Sequence, residues 1–179
     1  HIISLRPQLY KPWQLRGAAK FYLEDFSGAE EDASEAIRLN PYIDVIYDLR
    51  AISRIRQQKF EEAIIDYNLA IKINPAQQNY WYNRAICEYN LKNYDLALLQ
   101  LDTISRKWST FANAYSLKAE IYLQKTDTIE AAKWLDKSIS IDPYDANTWL
   151  TRASINLSRK EWNMADTCLS QAIHLRQKN

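Results

Sequence analysis

The sequence contains few residues that interrupt helices. It has only two glycines and five prolines in 179 residues, too few for the many turns of a loop-rich β fold. Apolar residues make up 47% and charged residues 25% of the chain, which is ordinary usage for one well-packed domain rather than for disorder. Alanine, leucine, lysine and glutamate favour helices. We therefore expect an almost wholly helical chain.

Cysteine and histidine are equally scarce. Cys87 and Cys168 are far apart, and neither has the CxxC or Cys/His spacing of a zinc site. His1 opens the chain and His174 lies close to its end. The sequence has no glycine-rich phosphate loop, no GxSxG and no HExxH. We expect two packed thiols, no metal, no cofactor, no catalytic residue and hence no enzyme.

Two further absences limit the partners. Lys and Arg number 23 against 22 Asp and Glu, so no broad positive field attracts a phosphate backbone and we expect no nucleic acid. No run of about 18 apolar residues occurs, so we expect no membrane span. A signal-peptide pattern is also missing. However, Ile3–Pro7 has the form of Ile37–Pro41 and the chain opens with His1, which indicates a start inside an earlier repeat and leaves the compartment open.

The chain does have a strict period of 34 residues. Alanine recurs at Ala29, Ala63, Ala97, Ala131 and Ala165. Aromatic residues recur at Trp13, Tyr47, Trp81, Tyr115 and Trp149, and small residues at Gly17, Ala51, Ala85, Ala119 and Ala153. Proline recurs at Pro7, Pro41, Pro75 and Pro143, with Ser109 in the remaining place. This period is typical of a solenoid built from two-helix repeats.

The period divides the chain into a short leading segment and five repeats. Residues 1–9 are predicted to end the second helix of a preceding repeat, and the repeats are 10–43, 44–77, 78–111, 112–145 and 146–179. In the third repeat, apolar residues form one helical stripe before Lys92 and a second stripe after Asn93. Each repeat is therefore predicted as helix, short turn and helix. The small residues would let the two helices approach closely, and the proline would end the second one.

The second repeat carries a recognisable motif. It runs through Tyr47, Ala51, Phe60, Ala63, Tyr67, Ala70 and Pro75. This pattern resembles the tetratricopeptide repeat family, and the resemblance covers essentially the whole chain. It implies an all-α, right-handed solenoid of five stacked helix-turn-helix repeats, whose first helices line a concave groove that binds peptides or proteins. The second helix of the third repeat departs from the motif at Ile104 and Ser109, so we expect a degenerate helix and an irregular link there.

The family's geometry implies which residues line the groove. In the first three repeats these are mostly apolar and aromatic: Phe21, Tyr22, Asp48, Ile52, Ile55, Arg56, Tyr82, Ile86, Tyr89 and Asn90. In the last two they are polar and include Asn113, Glu120 and Asn147. Asn79, Asn113 and Asn147 also recur every 34 residues and could hold an extended peptide backbone. A partner with an apolar anchor and a polar tail would fit. The alternatives are packing between repeats for the aromatics and local helix capping for the asparagines.

A basic residue stands at one position of every repeat. The series is Arg16, Arg50, Arg84, Lys118 and Arg152. It is either a functional ladder or a set of structural pairs, and we favour pairing because a half-buried arginine normally meets a carboxylate. Asp32 and Asp66 occupy the matching place on the second helix. Gln100, Trp134 and Cys168 replace them later, so the pairing is expected to fade towards the C-terminus.

These observations favour a noncatalytic scaffold that binds a peptide or a protein. Gln14 and Ala18 stand where clamps for chaperone tails need Lys and Asn, so a co-chaperone role is not expected. A structural or self-associating spacer within a longer repeat protein is the alternative, because Leu169 and Ile173 have no capping helix after them; a weak homodimer through the repeat ends would follow. An RNA-binding helical repeat is disfavoured by the neutral charge. The Arg16-Gly17 and Arg50-Ala51 pairs look like those of bacterial repeat proteins, so we expect a bacterial source.

Overall fold

The structure, a computed structural model, describes residues 9–177. Within this range the chain forms ten α-helices and no strand, which confirms the all-α prediction. The helices are α1 Tyr10–Tyr22, α2 Phe26–Leu39, α3 Asp44–Arg56, α4 Phe60–Ile73, α5 Gln78–Asn90, α6 Tyr94–Lys107, α7 Ala112–Gln124, α8 Thr128–Ile141, α9 Ala146–Ser158 and α10 Trp162–Gln177. In the part of the chain that is described, no helix has both the length and the apolar composition needed to cross a bilayer.

The helices follow the sequence period closely. The first helices of the repeats begin at residues 10, 44, 78, 112 and 146, and each has 13 residues. The helix expected to be degenerate, α6, has the same 14 residues as α2, α4 and α8. Apart from Leu9, the predicted helix end over residues 1–9 lies outside the described residues.

The turn inside each repeat has one recurring conformation. Its second residue adopts a positive φ of 60° to 63° at Glu24, Gln58, Lys92, Thr126 and Lys160. In the first repeat, the Glu24 N–H donates to the Phe21 carbonyl at 3.0 Å and the Asp25 N–H donates to the Lys20 carbonyl at 2.9 Å. This pair of bonds is the Schellman pattern that satisfies the last carbonyls of a helix. The bonds hold each turn in a left-handed conformation although none of the five residues is glycine.

The turn between repeats is fixed by the recurring aromatic residue. The Tyr47 hydroxyl donates to the Pro41 carbonyl at 3.1 Å, and the Trp81 indole N–H donates to the Pro75 carbonyl at the same distance. Tyr115 and Trp149 repeat this contact with Ser109 and Pro143 at 3.2 and 2.9 Å. Ser109 thus accepts the same hydrogen bond as the prolines, and its turn between α6 and α7 has the same length as the others. The irregular link that we expected at Ser109 is therefore not seen in this turn.

The chain divides into two compact units, with the boundary between Ala97 and Leu98 inside α6. In the first compact unit the core contains the recurring alanines and Tyr67, all with no exposed surface. Gly17 lies where α1 meets α2 and α3. A Cβ there would stand 3.2 Å from Asp32 Cβ and 3.3 Å from both the Ala29 carbonyl oxygen and a Leu49 methyl group. Small residues are thus needed for close helix packing.

The second compact unit has a core of the same kind. Its buried cluster joins α7, α8 and α9 through Ala119, Ala131, Ala132, Leu135 and Ile155. Tyr122, Leu123 and Trp134 pack against this cluster from the side. The recurring small residues again lie at the helix contacts, as their spacing predicted.

Candidate interaction surfaces

The basic residues of the first two repeats form the predicted ion pairs. Arg16 donates to both carboxylate oxygens of Asp32, at 2.6 and 2.7 Å. Arg50 reaches Asp66 at 2.6 Å, and Asp66 has no exposed surface. The Arg16 and Arg50 guanidinium groups also lie 4.9 and 5.8 Å from the ring centres of the aromatic residues one turn earlier. The structural interpretation therefore holds for these two residues.

In the later repeats the bases also have partners, but these lie on the second helix of the preceding repeat. Arg84 donates to Asn68 at 2.7 Å, Lys118 pairs with Asp102 at 2.8 Å, and Arg152 pairs with Asp136 at 2.7 Å. Each partner lies sixteen residues before its base, on the second helix of the preceding repeat. Ion pairing with the place of Asp32 and Asp66 ends after the second repeat, as predicted, but the bases themselves do not lose their partners. The partner has moved to another position of the repeat, so the ladder persists.

Arg50 shows how this change of partner occurs. It bonds Asp66 sixteen residues later, and it also donates to the Ser34 hydroxyl sixteen residues earlier, at 3.3 Å. A base on the first helix therefore reaches the second helices on both of its sides. Which side it pairs with depends on where an acceptor is present.

The predicted groove residues of α1, α3 and α5 all belong to the first compact unit. We call the following set the apolar face: Phe21, Tyr22, Asp48, Ile52, Ile55, Arg56, Asn79, Tyr82, Ile86, Tyr89 and Asn90. Tyr22 is 85% exposed, and Arg56, Asn79 and Asn90 are also exposed. The other members are half-buried. Spacings of three, four and seven residues place the members of each helix on one side of it.

Some of these side chains also pack between repeats. Phe21 and Ile52 contact the buried cluster that includes Ile46 and Leu49. Phe21 packs edge-on against Phe26 with ring centres 5.4 Å apart, and the Arg56 guanidinium lies 4.4 Å from the Phe26 ring centre. The same side chains therefore pack between repeats and remain partly exposed. Packing between repeats and a place in the binding groove, which the sequence left as alternatives, do not exclude one another at these residues.

Asp48 is the unusual group of the apolar face. Its Oδ1 atom is buried and has no hydrogen bond of good geometry from residues 9–177, and the Tyr67 hydroxyl, which is also buried, faces the same carboxyl. Burial raises the pKa of Asp48 to about 6; the Tyr67 hydroxyl opposes this rise and the negative charge of Asp44 adds to it. Asp44 accepts hydrogen bonds from Tyr80 at 3.0 Å and Asn74 at 2.8 Å. Neither carboxylate pairs with a cation of the described chain.

The three recurring asparagines do not cap their helices. The residues that precede α5, α7 and α9 in the capping position are Gln77, Phe111 and Asp145, and only Asp145 caps through its side chain. Asn79, Asn113 and Asn147 are exposed at the second residue of each helix. Asn147 accepts a bond from Arg176 at 3.3 Å. The capping alternative is wrong. Asn113, Glu120 and Asn147 form what we call the polar face of the second compact unit.

An open cleft lies where sequence reasoning placed no site. It has a volume of about 950 Å³ and is bounded by α6, α7 and α8 in the second compact unit. We call it the second-helix cleft. Its lining includes Leu99, Asp102, Ser105 and Arg106 on α6, Tyr115 and Lys118 on α7, and Lys133, Trp134, Asp136, Lys137 and Ser140 on α8. The sequence signal for this cleft is Trp134 at the position of Asp32 and Asp66, a replacement that by itself indicates only the loss of an ion pair.

Comparison with known proteins identifies the family. The tetratricopeptide repeat description matches residues 49–104 and again residues 112–145. The chain therefore belongs to the tetratricopeptide repeat family, whose members are typically noncatalytic and bind proteins or peptides. No curated protein sequence gives a significant match. Within residues 9–177, no group of three or more His, Cys, Asp or Glu side chains is placed to hold a metal ion.

Solved structures show the same fold at low sequence identity. MamA residues 41 to the end, from Desulfovibrio magneticus RS-1, are 15% identical with a TM-score of 0.78, over 95% of this chain and 96% of that one. PilF of Pseudomonas aeruginosa is 15% identical with a TM-score of 0.80, over 94% and 77%. YrrB, described as a TPR protein with an unusual peptide-binding site, is 14% identical with a TM-score of 0.68, over 98% and 91%. At such identities the likeness concerns the fold alone.

Proposed function

We propose that this chain is a noncatalytic protein-interaction scaffold that binds a peptide segment on its apolar face. The observation that carries the proposal is the Asp48 carboxyl, which lacks a cation and adjoins half-exposed aromatic and aliphatic side chains. Aromatic residues contribute most per residue to recognition. A hydrogen-bonding group that lacks a partner in the free protein gains most from a ligand that supplies one.

The chemistry of the face describes the segment. An apolar anchor would pack between Ile52, Ile86 and Tyr82. A lysine, an arginine or an amide N–H in the segment would meet the carboxylates of Asp48 and Asp44. The exposed Asn113, Glu120 and Asn147, which form the polar face of the second compact unit, offer hydrogen-bonding groups to a polar segment of a partner. The proposal also includes the division of the chain into five repeats at the boundaries given above. It further includes a bacterial source and the absence of nucleic-acid binding.

Self-association is the second candidate. The helix α10 exposes Trp162, Met164 and Ile173, at 60%, 59% and 56% of their surface. Such apolar side chains can drive a weak homodimer, the behaviour of a structural spacer. Light scattering over a concentration series separates the two candidates, because a purely peptide-binding module keeps the mass of one chain throughout.

Peptide selection tests the main proposal. Random displayed peptides are selected on the immobilised protein, and enriched sequences are then measured as free peptides by calorimetry. We expect the Tyr82→Ala, Tyr89→Ala double variant to raise Kd by about tenfold or more, since anchoring aromatics contribute roughly 1–2 kcal/mol each.

The matched control is Tyr42→Ala, Tyr144→Ala. These tyrosines are 80% and 77% exposed in turns between repeats and are not members of the apolar face, and the control removes the same atoms. Circular dichroism establishes that both variants are equally helical. If the two variants bind the selected peptides equally well, the apolar face is not the site and the proposal fails.

A further inference from the structure

The second-helix cleft has the size of a binding site. Its volume of about 950 Å³ lies in the range of roughly 300–1,000 Å³ that is usual for ligand pockets. Its base is aromatic, because the Tyr115 and Trp134 rings stack with their centres 6.0 Å apart and their planes 19° from parallel. An aromatic base of this kind provides contact area at little cost in side-chain entropy.

The cations around this base outnumber the carboxylates. Four bases and two acids line the cleft. Four of these six groups already form ion pairs. Lys118 pairs with Asp102, and Lys133 pairs with Glu130 at 3.1 Å. Asp136 pairs with Arg152 at 2.7 Å. Arg106 and Lys137 have no carboxylate within ion-pair distance among the described residues. The cleft therefore has a surplus of positive charge that the protein itself does not neutralise.

One of these cations is held at the base of the cleft. The Lys118 side chain is only 3% exposed, and its ammonium lies 4.4 Å from the centre of the Trp134 ring. Its one carboxylate partner within residues 9–177, Asp102, is 60% exposed. A buried ammonium whose counterion is exposed to solvent gains from a second carboxylate, because desolvation strengthens the interaction between charges.

The hollow surface continues beyond this cleft. A neighbouring cleft of about 390 Å³ shares Asp136 and Ser140 with it and is lined further by Ile139, Trp149 and Met164. The two clefts follow α8 side by side, the first cationic and the second mainly apolar. A surface of this length suits an extended chain better than a compact small molecule.

The positive charge of the second-helix cleft is particular to the fourth repeat. In the second repeat, the residues equivalent to Lys133, Trp134 and Lys137 are Ile65, Asp66 and Leu69. Asp66 there pairs with Arg50 and Arg54, so the equivalent place is filled by the protein's own ion pairs. The cationic cleft is therefore not a property of the repeat architecture.

We propose that the second-helix cleft is a second binding site, distinct from the apolar face, that takes an acidic peptide segment. Its carboxylates would lie on Lys137, Arg106 and Lys133, and an apolar side chain of the same segment would enter the neighbouring cleft beside Met164. The site belongs to the second helices of the repeats, so the chain can hold two different segments at once.

The probe is a pool of short fluorescein-labelled peptides that alternate Glu with Leu or Phe, compared with a pool in which Lys replaces Glu. Binding is followed by anisotropy at low and at physiological salt. We expect wild type to bind the acidic pool, more weakly as salt rises. Lys133→Glu, Lys137→Glu should weaken this binding by about tenfold or more. The Tyr82→Ala, Tyr89→Ala variant should leave it unchanged, which separates this site from the apolar face.

The control for net charge is Lys92→Glu, Lys160→Glu. Both residues lie in left-handed turn positions, and Glu24 occupies the equivalent position with φ of 63°, so glutamate is tolerated there. Ser140→Trp is a second test that fills both clefts without changing charge and should also reduce binding. Equal loss in the control, equal binding of the two pools by the Tyr82→Ala, Tyr89→Ala variant, full binding by Ser140→Trp, or displacement by inorganic phosphate at equal concentration would each overturn the proposal.

Discussion

Replacing Asp48 by asparagine removes a charge that the folded protein stabilises poorly. The carboxyl is half-buried beside the Tyr67 hydroxyl, with Asp44 one turn away and no cation of the described chain in contact. Asparagine keeps the shape and the carbonyl oxygen but does not ionise. We expect Asp48→Asn to be more stable than wild type at neutral pH and about equally stable in mild acid.

The magnitude follows from the pKa. The folded carboxyl has a pKa of about 6 against an ordinary value of 3.8, and one pKa unit corresponds to about 1.36 kcal/mol. The folded chain therefore binds the proton more tightly than the unfolded chain. Wild type loses stability as pH rises from about 4 to about 7, by about 3 kcal/mol in total. Asp48→Asn lacks this loss.

Urea unfolding followed by circular dichroism over this pH range measures the difference between the two proteins. Other titrating groups cancel in the difference. One of these groups is Glu30. Burial acts to raise its pKa, but hydrogen bonds from Lys59, Arg54 and Gln57 outweigh burial and lower the pKa to about 2. The stabilisation that Glu30 contributes is therefore lost only as pH falls from about 4.5 towards 2. Asp166→Asn, at an exposed position of α10, is the matched control.

Two results would refute this reasoning. If the free energies of wild type and Asp48→Asn run parallel from about pH 4 to about pH 7, Asp48 is solvated or paired in solution. If the variant is less stable at neutral pH, the ionised carboxylate has a partner that stabilises the fold.

Two further predictions concern the base ladder and a buried thiol. Arg50→Met leaves the fully buried Asp66 with Arg54 as its remaining ion-pair partner, so we expect a loss of about 2–4 kcal/mol in urea unfolding. Arg38→Met, which breaks an ion pair with Glu35 that is exposed on both sides, should cost about 1 kcal/mol or less, and equal losses would contradict the structural role assigned to Arg50. Burial raises the pKa of the Cys87 thiol to about 12, so in the Cys168→Ser variant we expect no reaction with a disulfide reagent at about pH 8 until urea unfolds the chain; rapid labelling of the folded variant would show that the thiol is accessible.

The ladder shows where reasoning from sequence succeeded and where it did not. The pairs Arg16–Asp32 and Arg50–Asp66 were predictable because base and acid recur at fixed places of the same repeat. The later pairs were missed because each base also faces the second helix of the preceding repeat. Nothing in one repeat's own pattern indicates that Asp102 and Asp136 are close enough to replace the missing acids.

The candidate surfaces were foreseen unequally. The members of the apolar face followed from helical spacing, but the environment of the Asp48 carboxyl depends on Tyr67 and Tyr80, which lie on two other helices. The second-helix cleft was missed altogether. Its Lys118, Trp134 and Lys137 come from two helices, and only their packing leaves space above the aromatic base.

The sequence by itself determined the helical pairs, their length and their close contacts. These depend on local helix propensity and on a period of 34 residues that places a small residue where the two helices of a repeat meet, and both can be read from the order of residues in the chain. Tertiary structure alone decided which acid each base binds, which carboxyl lacks a partner and where a cleft opens. Those outcomes depend on distances between side chains of different helices, and such distances are set by packing rather than by the order of residues.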